Sequence, residues 1–105
     1  MITDPRLPVL RDKPAADRDT EIVEQLRGRK MQVLALLCEG MTDREIAAAI
    51  GISTEVVKSH QCRIREAVGV DSRLKIVLYV LRSRVIVDAL RVAKKEMRVE
   101  RNGHV

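Results

Sequence analysis

The sequence has almost no aromatic residues: phenylalanine and tryptophan are absent, and Tyr79 is the only tyrosine among 105 residues. A hydrophobic core must therefore be built from aliphatic side chains, which suits closely packed helices. The scarcity argues against proteins that bind single-stranded nucleic acid, because they stack bases on aromatic side chains. It also argues against a large pocket for a small-molecule ligand or cofactor, and neither is expected.

Cysteine is also scarce, and Cys38 and Cys62 form no C-x-x-C pair. With His60 and His104 they match no zinc-binding spacing, so no metal site is expected. The sequence starts without an apolar signal region, and the longest apolar run, Ile76–Leu81, is too short to span a bilayer. No phosphate loop, catalytic triad or carboxylate pair is evident, so an enzyme is not expected. These absences predict a cytoplasmic protein with free thiols and no membrane partner.

Proline is confined to the first 14 residues. Because proline interrupts helices, we predict a flexible N-terminal arm over residues 1–19. A weakly helical segment, Thr20–Leu26, then opens a folded domain over residues 20–84. Residues 85–105 are predicted to be a C-terminal helical extension and tail. The net charge of +5 favours a polyanionic partner.

The most informative stretch begins at Asp43 and contains two helical patterns joined by a tight turn. Ile46, Ala47 and Ile50 repeat at a helical spacing, and Gly51 is placed to end that helix. Ser53 and Thr54 are good N-caps for a second helix. A helix, a short glycine-containing turn and a second helix are typical of a helix-turn-helix.

The second helix is predicted to run from about Thr54 to Ala67 or Val68, with Val57, Ile64 and Val68 on one apolar face. Its opposite face is polar, and a helix that enters the major groove needs such donors and acceptors. A solvated helix face is also polar, but the preceding helix and turn favour DNA contact. The candidates for base contact are Glu55, Lys58, Ser59 and Cys62.

Residues 31–76, with Arg29 before them, resemble the DNA-binding domain of the LuxR/GerE-type transcription regulators. The matching positions are Arg29, Val33, Leu34, Leu37, Gly40, Thr42, Glu45, Ile46, Ala47, Ile52, Ser53, Val57, Lys58, His60, Ile64, Gly69, Val70, Ser72 and Arg73. The sequence departs from the family pattern at Arg27 and Lys30, in the usual Thr-x-Arg-Glu opening, and at Val56 and Ala67. The resemblance implies an all-α, four-helix domain that binds double-stranded DNA.

The resemblance and the helix N-termini also predict contacts to the DNA backbone. In the resembling family the position of His60 binds phosphate. Helix N-termini present free N–H groups to phosphate, although residues there are first of all caps. Surface arginines are plausible phosphate clamps, although many are only solvated. The predicted phosphate contacts are Thr42, Ser53, Thr54, His60, Arg63, Arg65, Ser72 and Arg73.

A fourth helix is predicted from Arg73, and its segment Ile76–Leu81 is apolar on every side. Such a helix must be covered on more than one side, and in the resembling family the fourth helix is the dimer contact. Because no Gly or Pro interrupts the following residues, we predict a helix that continues past Arg84 toward Met97. The predicted homodimer interface is Ile76, Tyr79, Val80, Ser83, Val87 and Leu90. The alternatives are that residues 85–97 fold back onto their own domain or pair as a β-prone segment.

Together these observations predict a sequence-specific DNA-binding transcription regulator that acts as a homodimer. The resembling family usually places this module behind a receiver or ligand-binding domain, and neither fits in residues 1–25. We therefore expect a stand-alone protein, controlled by its abundance or by a regulatory protein. One rival hypothesis is a module similar to region four of sigma factors, which works with RNA polymerase. Another is a protein-interaction module that has lost DNA binding.

Overall fold

Six α-helices make up the part of the chain that a computed structural model describes, residues 15–102, with side chains described for residues 17–97. They are α1 (Ala15–Gln25), α2 (Arg29–Cys38), α3 (Asp43–Ile50), α4 (Thr54–Val68), α5 (Arg73–Leu81) and α6 (Arg84–Asn102). No strand occurs within these residues, and the all-α prediction is confirmed. None of the described helices is long and apolar enough to cross a membrane.

Helix α3 begins and ends at local signals that the sequence contains. Thr42 and Glu45 form a capping box: the Thr42 hydroxyl accepts from the Glu45 N–H at 3.2 Å, and the Thr42 N–H donates to Glu45 Oε1 at 2.8 Å. Gly51 ends the helix with φ 72°, a left-handed conformation that glycine adopts without strain. The turn that joins α3 to α4 is therefore determined by a few neighbouring residues.

Helix α2 lies at the centre of the domain. Its residues 31–37 are all buried, as expected for a helix covered on more than one side. Helices α4 and α6 pack against it. The largest fully buried side chains are Leu26, Val33, Leu34, Leu37, Ile46, Val57, Ile64, Ile76, Val80 and Ile86. Each contributes about 1.5–3 kcal/mol by burial, so this aliphatic cluster is the main source of stability.

The C-terminal segment differs from the prediction. Helix α5 ends at Leu81 and a separate helix starts at Arg84, so the predicted continuous helix past Arg84 is wrong. Ser83 explains the break: its hydroxyl accepts from the Ile86 N–H at 3.2 Å and donates to Asp19 Oδ2 at 2.6 Å. Helix α6 then packs against α1 and α2, as in the alternative in which these residues fold back onto their own domain.

The N-terminal helix also extends beyond its predicted limits. Helix α1 begins at Ala15, which shortens the arm predicted over residues 1–19; residues 1–14 lie outside the described part of the chain. Ile22 and Leu26 belong to the core. Asp19, only 7% exposed, accepts hydrogen bonds from the hydroxyls of Tyr79 and Ser83, both at 2.6 Å. This carboxylate therefore ties α1 to the α5–α6 junction.

Candidate nucleic-acid interface

Helix α4 has a buried face and an exposed polar face. Val57 and Ile64 are fully buried against the core, whereas the four predicted base-contacting residues are all exposed. The helix starts at Thr54 and ends at Val68, as predicted. At its start, the Ser53 hydroxyl accepts from the Val56 N–H at 3.2 Å. The structure thus brings Glu55, Lys58, Ser59 and Cys62 together on one accessible surface.

A polar network fixes the orientation of α4, and the sequence did not reveal it. Asp43 Oδ1 accepts from Gln61 Nε2 at 2.5 Å and from Arg73 Nη1 at 3.1 Å. Arg73 Nη2 also donates to the Met41 carbonyl. These bonds join the N-terminal ends of α3 and α5 to the middle of α4. The available signal was Gln61 on the apolar face of α4, because a buried amide needs a partner.

The network changes the interpretation of Arg73. The sequence predicted a phosphate clamp, but the structure directs two of the guanidinium donors to Asp43 and Met41 within the same chain. Arginine has five N–H donors, so a phosphate contact would have to use the remaining ones. The contact seen in the structure is structural: Arg73 holds α5 against the start of α3.

The remaining predicted phosphate-binding residues differ in their surroundings. The hydroxyls of Thr42, Ser53 and Ser72 accept from backbone N–H groups and act as caps. The Thr54 hydroxyl donates to Glu55 at 3.5 Å. Arg63 is exposed, and its Nη1 lies 3.7 Å from Glu66 Oε1. Arg65 is half-buried. No described bond prevents the Arg65 guanidinium from reaching DNA.

His60 lies between the buried and exposed faces of α4 and is half-buried. Burial is the main factor that lowers the pKa of this imidazole from its usual 6.5, and the positive charges of Lys30 and Arg29 lower it further. His60 is therefore neutral at pH 7 and keeps one N–H donor. An approaching phosphate would oppose the effect of Lys30 and Arg29 and favour the protonated form.

The two cysteines have different surroundings. Burial is the main factor that raises the pKa of the Cys38 thiol from 9.0 to about 11, and the negative charge of Glu39 is a smaller one. The thiol therefore stays protonated. Cys62 is exposed on α4 and its thiol lies 3.8 Å from Glu66 Oε2. No group of three or more His, Cys, Asp or Glu side chains in the described residues is placed to hold a metal ion.

An open cavity lies beside the exposed face of α4, at the N-terminal ends of α3, α4 and α5. Its volume is about 590 Å³, and its lining is Gly40, Thr42, Asp43, Arg44, Thr54, Lys58 and Arg73. Three cationic side chains and one carboxylate meet there, so the lining is positively charged. Arg44 was not singled out from the sequence, because only the fold brings it beside Lys58.

The residues predicted for the dimer interface are mostly in the interior of one chain. Ile76, Val80, Ser83 and Leu90 are at most 7% exposed, and Tyr79 and Val87 are half-buried. The regular spacing of these residues reflects two helices that pack on the same core, and the four buried side chains are covered by their own chain. The exposed apolar side chains of α5 are instead Leu74, Leu78 and Leu81.

Comparison with known proteins gives a consistent result. The family model described as bacterial regulatory proteins, luxR family, matches residues 24–80. The response regulator protein VraR of Staphylococcus aureus, of Staphylococcus saprophyticus and of Staphylococcus epidermidis is 33% identical over 66 residues. The match covers 63% of this chain and 32% of each relative, so the chain corresponds to about a third of their length. No solved structure matches the chain significantly.

Proposed function

The chain belongs to the luxR family of bacterial regulatory proteins, and we propose that it regulates transcription by binding double-stranded DNA through α4. The observation that carries this proposal is the exposed polar face of α4, the second helix of a helix-turn-helix. Helices that enter the major groove contact base edges with such a face. The 33% identity to a response regulator supports the regulatory role.

Each residue on this face offers a different chemistry to a base pair. Lys58 donates to guanine or to a phosphate, and Glu55 accepts from the amino group of cytosine. Ser59 does either, and the small side chain of Cys62 fits against a thymine methyl group. The Asp43–Gln61–Arg73 network supports these contacts indirectly, since it prevents α4 from rotating and moving them away from the groove.

The first test places a negative charge at the centre of this face. Ser59→Glu is expected to weaken binding to all duplexes by about tenfold or more, because like charges brought together at an interface cost several kcal/mol. Ser59 is exposed, so the helical circular dichroism and the melting temperature should be unchanged. The measurement is a gel-shift titration of the intact chain and the variant against random duplex DNA at rising salt.

Val92→Glu is the matched control, because Val92 is 56% exposed on α6 and the substitution changes the net charge by the same amount. This variant should bind duplex DNA as the intact chain does. Equal affinities of the intact chain and Ser59→Glu would remove α4 from the DNA interface. Failure of the intact chain to bind duplex DNA at low salt would favour the protein-interaction hypothesis.

We further propose that the chain forms a symmetric homodimer, through residues other than those the sequence suggested. Leu74, Leu78 and Leu81 are 66%, 46% and 67% exposed and follow one another at helical spacing on α5. A contiguous exposed apolar stripe of this kind is typical of a protein interface. In a dimer built on it, two copies of α4 would lie one DNA turn apart, roughly 34–36 Å, on a pseudo-palindromic site.

Leu78→Asp is expected to shift the chain toward monomer, because each copy would bring a charge into the apolar contact. Its affinity for paired half-sites should fall by about tenfold or more, since the second α4 would no longer be held on the same duplex. Affinity for a single half-site should stay the same. Sedimentation velocity and gel-shift titration measure the two effects.

Val92→Asp is the control for this substitution and should leave the sedimentation unchanged. A monomeric intact chain at high concentration would exclude the homodimer. A Leu78→Asp variant that sediments as a dimer would place the contact outside the α5 stripe.

A further inference from the structure

We propose that the cavity at the N-terminal ends of α3, α4 and α5 binds one phosphodiester group of the DNA backbone, with Arg44 and Lys58 as its ligands. This inference rests on the proposed DNA binding and deepens it. It adds Arg44 to the interface and assigns Lys58 to the backbone instead of to a base. The preference for a DNA sequence would then depend on Glu55, Ser59 and Cys62.

The charges in the cavity favour a single anion. Arg44, Lys58 and Arg73 are cationic, and Asp43 is the one carboxylate in the lining. Asp43 already accepts hydrogen bonds from Arg73 and Gln61, so its charge is compensated inside the network. Arg44 and Lys58 are exposed and form no ion pair or side-chain hydrogen bond with the described residues. Two cations without a partner therefore face the same space.

The position of the cavity favours DNA over a free anion. Lys58 belongs both to the cavity lining and to the exposed face of α4, so the cavity adjoins the surface that meets the groove. It is an open cavity, which a phosphate can enter while it remains part of a polymer. The helix dipoles of α3 and α4 add positive potential, although the Thr42 hydroxyl and N–H are already occupied by Glu45. The two side-chain cations are therefore the main ligands.

The experiment is a double-mutant cycle between the protein and single phosphates. A duplex selected from a random pool by the intact chain is prepared with one neutral methylphosphonate at each backbone position in turn. Neutralisation of the contacted phosphate should weaken the intact chain about fivefold to tenfold at roughly 0.1 M salt, the effect of one lost phosphate contact. Arg44→Ala and Lys58→Ala should bind the unmodified duplex less tightly by a similar factor.

The diagnostic result is the loss of sensitivity at one position. Each variant should be less affected than the intact chain by the methylphosphonate at that position, because it keeps only one of the two ligands, and should respond normally at all other positions. Lys95→Ala, which removes one exposed charge on α6, is the matched control and should keep the full sensitivity. Arg44→Lys should recover most of the contact, because it restores the charge.

Three outcomes would overturn the assignment. The first is that no position loses its sensitivity in both variants, although the intact chain binds DNA; the proposed function would then stand without this site. The second is that Lys58→Ala changes the preference among base pairs and not the response to methylphosphonates. The third combines two results. Inorganic phosphate binds saturably to the intact chain, as measured from the amide signals of residues 42–45, and the Arg44→Ala variant binds DNA as tightly as the intact chain does. An intact chain that binds no duplex would refute both the function and the site.

Discussion

Val57→Asp is expected to abolish the cooperative fold of the domain. Val57 is 0% exposed on the face of α4 that packs into the core, so aspartate there would bury a charge without a partner. An uncompensated buried charge costs about 3–5 kcal/mol, and the lost burial of valine adds about 1.5–3 kcal/mol. A small domain has a total stability of about 5–15 kcal/mol. The substitution should therefore remove most of it, measured by circular dichroism and urea unfolding.

Val56→Asp is the matched control, because it makes the same chemical change one residue earlier, at a position that is 40% exposed. This variant should keep the helical signal and a cooperative transition. A Val57→Asp protein that melts cooperatively near the temperature of the unsubstituted chain would show that α4 is rotated from its orientation in the structure. That result would also invalidate the set of residues assigned to the DNA-facing surface.

The helix-turn-helix could be predicted from the sequence because local signals determine it. Thr42 with Glu45 starts α3 and Gly51 ends it, while Ser53 and Gly69 bound α4. Each signal acts within a few residues of the element it starts or ends. The helical spacing of apolar and polar positions along α4 then distinguishes its buried face from its exposed face.

The rest of the fold depends on residues far apart in the sequence. The break at Ser83 involves Asp19, 64 residues earlier, and no glycine or proline marks it. The network around Asp43 joins residues 18 and 30 positions away, so neither the role of Arg73 nor the neighbourhood of Arg44 and Lys58 could be predicted. The exposed face of α4 was visible in the sequence, whereas the surroundings that orient it were not.

A chain that ends at Arg82 is expected to lose its stable fold and not merely to dissociate. The truncation removes α6, whose Ile86, Leu90 and Ala93 are 0%, 7% and 5% exposed in the intact chain. Ile86 and Leu90 each contribute about 1.5–3 kcal/mol by burial, and their removal also exposes the face of α2 that they cover. Among the residues whose side chains are described, loss of Ser83 removes one of the two hydroxyl donors to Asp19 and leaves that of Tyr79. We expect a weakened helical signal and a broad, non-cooperative urea transition.

A chain that ends at Met97 is the control, because it keeps Ile86, Leu90 and Ala93, and it should unfold as the intact chain does. The comparison has a consequence for the family, since the luxR model matches residues 24–80 and so excludes α6. If the chain that ends at Arg82 unfolds, residues 24–80, which the luxR model matches, need α6 for a stable fold in this protein. If it instead melts cooperatively at an unchanged temperature, the matched residues fold without α6, and the contacts of that helix with α1 and α2 contribute little to stability.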